Sequence, residues 1–293
     1  REKDITKLSI VPEIRDNSNR ILSGEEISLT YDKQQLTKLY IPLKASAATA
    51  IKGYRKTDND SLNRDELQFT DSMKGSEIIG FFNNGAIDSL RIHGMAQTLY
   101  HIFDDSVYQG KNNASGDTII MNFSNNELEK LNILEGAEGV YTPDSMATDM
   151  NSPVKYSANH IQYFLKNRAS DFHGNANIAQ DKTKLSSGFI NIDWQSNMLQ
   201  ALPFFDNDIA QKPISPVIKE EGRDPMTGDE MTYNLRTKRG KIKKGKTKAD
   251  DGHYTGSQIR NQSEKVIFIE NSTYTTCDLD TAHFHFESKK MKI

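Results

Sequence analysis

The chain has 293 residues, 35% of them hydrophobic, a mean hydropathy of −0.68 and a net charge of −3. That length allows one large all-β domain or two smaller ones, and the low apolar content suits thin sheets with one wet face better than a thick core. The balance of charge gives no global field toward nucleic acid or an anionic membrane; no run of about 18 apolar residues could span a membrane as a helix; and Cys277, the single cysteine, excludes an intrachain disulfide and a multi-thiolate zinc cluster.

In chain order, strand-like phrases begin at Ile27–Tyr31 and recur at Glu66–Phe69, Ile87–Ile92, Gln97–Phe103, Thr118–Phe123 and Lys130–Leu134. Turns are expected at Asn83-Asn84-Gly85, Gly94, Ala114-Ser115-Gly116 and Gly136. The Ala-rich Leu43–Arg55 segment reads as a loop with a short helix. A second block, Val154 to Gln200, alternates to a turn at Lys166-Asn167. It continues as a strand to Phe172, a break at Gly174, a third strand through Ile178, then a fourth and a fifth reaching Trp194. Residues 203–228 carry Pro203, Pro213, Pro216 and Pro225, which remove ladder donors, so this stretch reads as a connection.

From Asp229 to Ile293 short alternating phrases follow one another with hardly a helical period. Met231, Tyr233 and Leu235 form one, Val266 and Phe268 another, Phe284 and Phe286 a third, with Gly240, Gly245, Gly252 and Gly256 read as turns. The phrase Ile161-Gln-Tyr163-Phe-Leu165-Lys166-Asn167-Arg168 is echoed by Met231-Thr-Tyr233-Asn-Leu235-Arg236-Thr237-Lys238, as expected of stacked rungs. The chain starts at Arg1 without a methionine and stops after a strand-like phrase, which reads as a portion of a longer protein. The blocks are therefore set at 1–150, 151–202, 203–228 and 229–293.

Three phrases carry a family resemblance: Met231-Thr-Tyr-Asn-Leu-Arg-Thr-Lys-Arg-Gly-Lys-Ile242, Asp251-Gly-His-Tyr254, and Tyr274-Thr-Thr-Cys-Asp-Leu279 followed by His283. Together they resemble the periplasmic N-terminal part of the LptD family, the OstA or organic solvent tolerance proteins. His173-Gly174-Asn175-Ala176 and the Asp117–Thr142 segment are similar to the OstA-type rungs shared with LptA. The resemblance implies an all-β, semi-open antiparallel β-jellyroll, or β-taco. It implies a non-enzymatic role at the periplasmic face of the bacterial outer membrane, receiving lipopolysaccharide and guiding its acyl chains to a barrel. The implied partners are lipopolysaccharide, an LptA-like bridge protein paired through strand edges, the outer-membrane barrel and an LptE-like lipoprotein, with no nucleic acid and no cofactor. Family members with several cysteines join this domain to the barrel by disulfides; Cys277 could pair only outside this chain.

Physics suits such a role. A methylene returned to water costs about 0.8 kcal/mol, so a twelve-carbon chain exposes roughly 9 kcal/mol and needs an apolar path throughout. The candidate trough residues are Ile161, Tyr163, Leu165, Phe172, Ile190, Ile192, Trp194, Met231, Tyr233, Leu235, Ile242, Ile259, Val266, Phe268, Phe284 and Phe286. Each is equally readable as ordinary core. A β-solenoid adhesion or interaction module, binding polysaccharide or protein, is the alternative.

Other constellations read more plainly. The basic run of Arg236, Lys238, Arg239, Lys241, Lys243, Lys244, Lys246 and Lys248 is a solvated outer face or a contact for lipid phosphates, and it lacks the aromatics of a nucleic-acid platform. Cys277, His283 and His285 lack a fourth ligand for a structural metal site, so no metal is expected. No nucleophile elbow, Walker loop, paired-histidine zinc helix or dinucleotide fingerprint is present. Asp71, Asp104, Asp105, Asp250 and Asp251 read as turn carboxylates.

Overall fold

Alternation decides the class: no helix occurs among the described residues, and the chain is a succession of antiparallel strands. The computed structural model describes residues 4–9, 12–15, 20–56, 66–148, 150–204, 213–249, 252–263, 266–279 and 282–293. Asp250 and Asp251, read above as turn carboxylates, lie outside these. Two compact units form, residues 1–155 with 160–167 and residues 156–159 with 168–293.

The first unit contains β1 (Asp4–Ser9), β2 (Glu13–Arg15), β3 (Arg20–Ser23), β4 (Glu26–Asp32), β5 (Gln35–Ile41), β6 (Ala45–Gly53), β7 (Leu67–Gly75), β8 (Glu77–Asn83), β9 (Ala86–Asp104), β10 (Val107–Ser124) and β11 (Glu127–Pro143). Pairing divides them into two layers. One runs β1–β4–β5–β8 and then through residues 86–93, 118–124 and 127–134 of the three long strands. The other runs β2–β3–β6–β7 and then through residues 97–104, 107–115 and 138–143. Each long stretch of chain therefore crosses from one layer to the other at a bend. β3 and β4 are two halves of one such stretch, as are β5 and β6, and β7 and β8.

A recurring local motif makes the bend. Gly24, Gly75 and Gly116 each stand three residues before a buried isoleucine, Ile27, Ile78 and Ile119. The neighbouring strand places Ile41, Ile92 or Ile133 against the glycine. A Cβ on Gly116 would lie 2.5 Å from Ile133 Cγ2 and 3.0 Å from Leu134 O, and one on Gly75 would lie 2.6 Å from Ile92 Cγ2. Just past these isoleucines the backbone turns left-handed, at Lys44, at Gly94 and Met95, and at Glu135 and Gly136. Such residues act as bulges that bend a strand without ending it. The isoleucines then align across strands as Ile41–Ile78–Ile92–Ile119–Ile133, all unexposed. Ala45, Ala96, Ala114 and Ala137 line the second layer, buried as well. Large on one side and small on the other lets the two layers close over one apolar interior.

Several expectations are corrected here. Gly94, Ala114-Ser115-Gly116 and Gly136 are bends inside β9, β10 and β11, not turns between strands. The Ala-rich segment expected to hold a helix is β6, hydrogen-bonded to β3 and β7 on its two edges. Pairing on both sides outweighs the helical preference of alanine, which amounts to only a fraction of a kcal/mol per residue. Asp71 sits in β7, where it accepts from the His101 backbone N–H and from Nδ1, both at 2.8 Å. The turn at Asn84-Gly85 is present, with both residues at positive φ.

At the far side of the second layer, Arg55 Nε lies 2.7 Å from the nearly buried Asp144 carboxylate, and its guanidinium covers the Tyr108 ring. Tyr141 donates to Gln109 O at 3.3 Å, and burial above all, with Tyr108 and Asp144 adding, pushes its phenol up to about 12. A raised phenol pKa favours the neutral form in the folded state. The stabilisation is complete below the ordinary value near 10 and fades as pH rises toward 12. Tyr141→Phe should therefore lose less stability than the parent between these limits, measured by denaturant unfolding at stepped alkaline pH.

β12 (Val154–Phe164) contributes to both units. The second unit continues with β13 (Ala169–Gln180), β14 (Thr183–Asp193), β15 (Met198–Leu202), β16 (Val217–Glu220), β17 (Met226–Thr227), β18 (Glu230–Asn234), β19 (Arg239–Ala249), β20 (Gly252–Ser263), β21 (Val266–Thr275) and β22 (Phe286–Lys292). Its two layers follow the same plan. β14, β15, β18 and β19 pair in one, and β14, β16, β17 and β19 in the other. Left-handed residues mark the bends again, at Gly174 and Asn175, Lys244 and Asn271. Hence Gly174 does not separate two strands; β13 runs through it, and two strands rather than four cover residues 169–193. Gly240, Gly245 and Gly256 lie within strands, and Gly252 opens one. Gly228 and Gly256 repeat the glycine-to-apolar spacing, before Met231 and Ile259.

The echoed phrases do occupy equivalent places. Residues 165–168, 194–197 and 235–238 are four-residue turns, closed by left-handed Arg168, Asn197 and Lys238. Trp194 N donates to Arg168 O at 2.9 Å and Leu235 N to Asn197 O at 2.9 Å, so successive turns of the second unit are stitched together.

Candidate functional site

The candidate site is the apolar interior. In the second unit the cross-strand register aligns Phe172–Ile190–Ala201–Met231–Ile242–Ile259–Ile269–Met291 without a gap. A second row runs Ile192–Leu199–Tyr233, and the other layer supplies Ile178–Leu185–Ile218–Met226. Pleating puts these on one side because residues directly opposite share a face. Phe172, Ile190 and Ile192 are unexposed, and Met231, Tyr233, Ile242 and Ile259 are between 1% and 6% exposed.

Of the residues chosen from sequence, Ile161, Phe172, Ile190, Ile192, Met231, Tyr233, Leu235, Ile242 and Ile259 are buried. Ile161, Tyr163 and Leu165 belong to the first unit. Tyr163 and Leu165 are half-buried, as are Trp194 and Val266. Leu165 and Trp194 open turns rather than lie in strands; Trp194 Nε1 donates to Ser170 Oγ at 2.7 Å. Phe268 faces away from the interior. Its neighbour Ile269 is the inward residue, and Phe268 is 37% exposed. Phe284 precedes the last strand and is exposed. Phe286 continues the inner row Tyr254–Tyr274–Phe286 across β20, β21 and β22, yet is 64% exposed because β22 pairs with no strand but β21 among the described residues.

The sequence reading missed the whole isoleucine row of the first unit, together with Ile269, Leu185, Ile218 and Met226. The glycine placed three residues before an apolar residue, five times over, was the signal available.

The inner rows are closely covered, and a cavity of about 20 Å³ in the second unit is bordered by Leu185, Ile218, Met226, Met231, Tyr233, Ile242 and Ile259 together with Thr232, Lys241 and Asn261. That holds a water molecule, not a hydrocarbon chain.

Outside the interior, Cys277 Sγ lies 3.8 Å from His283 Nδ1, whereas His285 Nε2 turns to Glu287 at 3.1 Å. The two histidines precede β22. No group of three or more metal-ligating side chains converges among the described residues.

No protein-family model and no curated protein sequence matches the chain. Among solved structures it is similar to LptH of Pseudomonas aeruginosa, the LptA-homologous periplasmic component of the lipopolysaccharide transport device. That likeness has a TM-score of 0.41 and 13% identity, and covers 52% of this chain and 94% of that one.

Proposed function

We propose that the chain is a non-enzymatic lipid carrier, the periplasmic β-jellyroll portion of an LptD-like protein at the outer membrane. In this reading it takes lipopolysaccharide from an LptA-like bridge and passes its acyl chains to a barrel accompanied by an LptE-like lipoprotein. One observation carries it: bent strands of both units keep an apolar row in register, and in each unit an inward row runs out at an exposed strand edge among the described residues. Leu8, opposite Ile27, is 39% exposed, and Phe286 is 64% exposed. An edge strand that ends an apolar interior invites a further strand from a partner. Acyl chains would enter by parting the layers, replacing one set of apolar contacts with another at little net cost.

The low exposure of the inner rows favours a second reading, a β-solenoid interaction module that binds polysaccharide or protein on its outer face. Photo-crosslinking separates the two. A crosslinkable residue at Tyr233 or Ile242 should form lipid adducts during transport, while outward Thr232 and Phe268 should not. Adducts of equal yield at all four positions, or at none, would sink the carrier.

A further inference from the structure

The basic run of β19 is left unexplained by an apolar interior. Its phase is set by left-handed Lys244: Ile242, Gly245 and Thr247 point inward and are buried, so Lys241, Lys243, Lys246 and Lys248 all point outward and are exposed. Lys241 and Lys243 share a strand face roughly 7 Å apart along the chain. Between them and β20 lies a cleft of about 350 Å³, bordered by Glu230, Thr232, Lys241, Lys243, Ser257 and Gln258.

Charge in this cleft is not settled by its own residues. Lys241 stands directly opposite Arg260, a like-charge cross-strand pair that costs stability. Arg260 is relieved by Glu270, whereas Lys241 makes no ion pair among the described residues. Lys243 reaches the Glu230 carboxylate only at 3.4 Å, and Gln200 Nε2 already donates to the same carboxylate at 2.9 Å. The Gln200 hydrogen bond first, then Lys243 and Lys241, hold Glu230 below the usual carboxylate range, so it stays ionised at neutral pH.

We propose that this outer cleft binds a phosphate monoester. Two ammonium groups on one face match a dianion, and a monoester carries nearly two charges near pH 7 because its second pKa is about 6. A diester or carboxylate carries one. Thr232 and Gln258 supply neutral donors for the remaining oxygens, while Ser257 already donates its O–H to Glu270 O at 3.1 Å. Glu230 is the competitor: an incoming phosphate draws Lys243 away from it. The proposal is independent of whether the interior carries lipid.

The test titrates the intact protein with monomethyl phosphate, inorganic phosphate and acetate by calorimetry. Lys241→Ala with Lys243→Ala should weaken the phosphates by about tenfold or more, while Glu230→Gln should tighten them several-fold. A structural role for the lysines would not give opposite signs in the two variants. Sedimentation with phosphatidylcholine vesicles containing phosphatidic acid or phosphatidylglycerol then assigns the source. Preference for phosphatidic acid identifies a lipid headgroup, and binding of the soluble monoester without it identifies a free phosphate; either upholds the cleft. No phosphate binding, acetate binding of equal strength, unchanged affinity in the double variant, or no gain in Glu230→Gln would overturn it.

Discussion

Phe172→Ala is expected to lower unfolding stability by about 3–5 kcal/mol, read from the midpoint of urea denaturation. Phe172 begins the inner row of the second unit and is unexposed. Its ring meets the edge of Tyr156 at 5.5 Å, with the planes at 65°, and its strand partner is Ile190. Truncation loses the transfer energy of an aromatic ring and leaves a void that β14, hydrogen-bonded to β13 on one edge and to β15 and β16 on the other, cannot fill. Phe268→Ala is the matched comparison. The same chemistry on an outward, 37% exposed side chain should cost no more than about 1 kcal/mol. Equal losses at the two positions would contradict the assignment of inner and outer faces.

Gly116→Ala should cost about 2–3 kcal/mol through overpacking alone. The added Cβ meets Ile133 Cγ2 at 2.5 Å and Leu134 O at 3.0 Å, and Ile133 is unexposed and flanked, so neither atom has room to retreat. Gly136, close by at the bend of β11, makes the contrasting case. Nothing lies within 4 Å of a Cβ there, but its φ is +64°. Gly136→Ala therefore costs only the left-handed penalty of about 1 kcal/mol. Combining Gly116→Ala with Ile133→Ala should be less damaging than the sum of the single changes, since removing Cγ2 relieves the clash. Full additivity would show that the bend does not depend on that contact.

Much of the fold was legible because strand alternation and hairpin chemistry are local. Asn84-Gly85 announces a two-residue turn, and the phrases ending at Arg168 and Lys238 share a four-residue turn. The bends were not legible from their left-handed residues, since Lys44, Met95, Glu135 and Lys244 are not types that signal positive φ. Nor does Lys33-Gln34 announce the tight turn it forms, whereas Asp105, read as a turn carboxylate, does open one with Ser106. A glycine at a bend reads as a turn because a turn and a close approach both favour glycine, and only the opposing isoleucine separates them. The error at Phe268 has a similar origin. In Val266-Ile267-Phe268-Ile269 every residue is apolar, so alternation cannot say which pair faces in; the register with Ile259 decides it.

The stitched turns have a consequence for how such a chain can change over time. Because the first amide of the turn at Trp194 or Leu235 finds the last carbonyl of the turn before, each hairpin carries its own docking instruction. Duplicating or excising a hairpin would present the same donor to the same acceptor on either side of the scar. Length could then drift in two-strand increments while every surviving rung kept its neighbours, a modularity that a closed barrel, with its fixed circumference, does not permit.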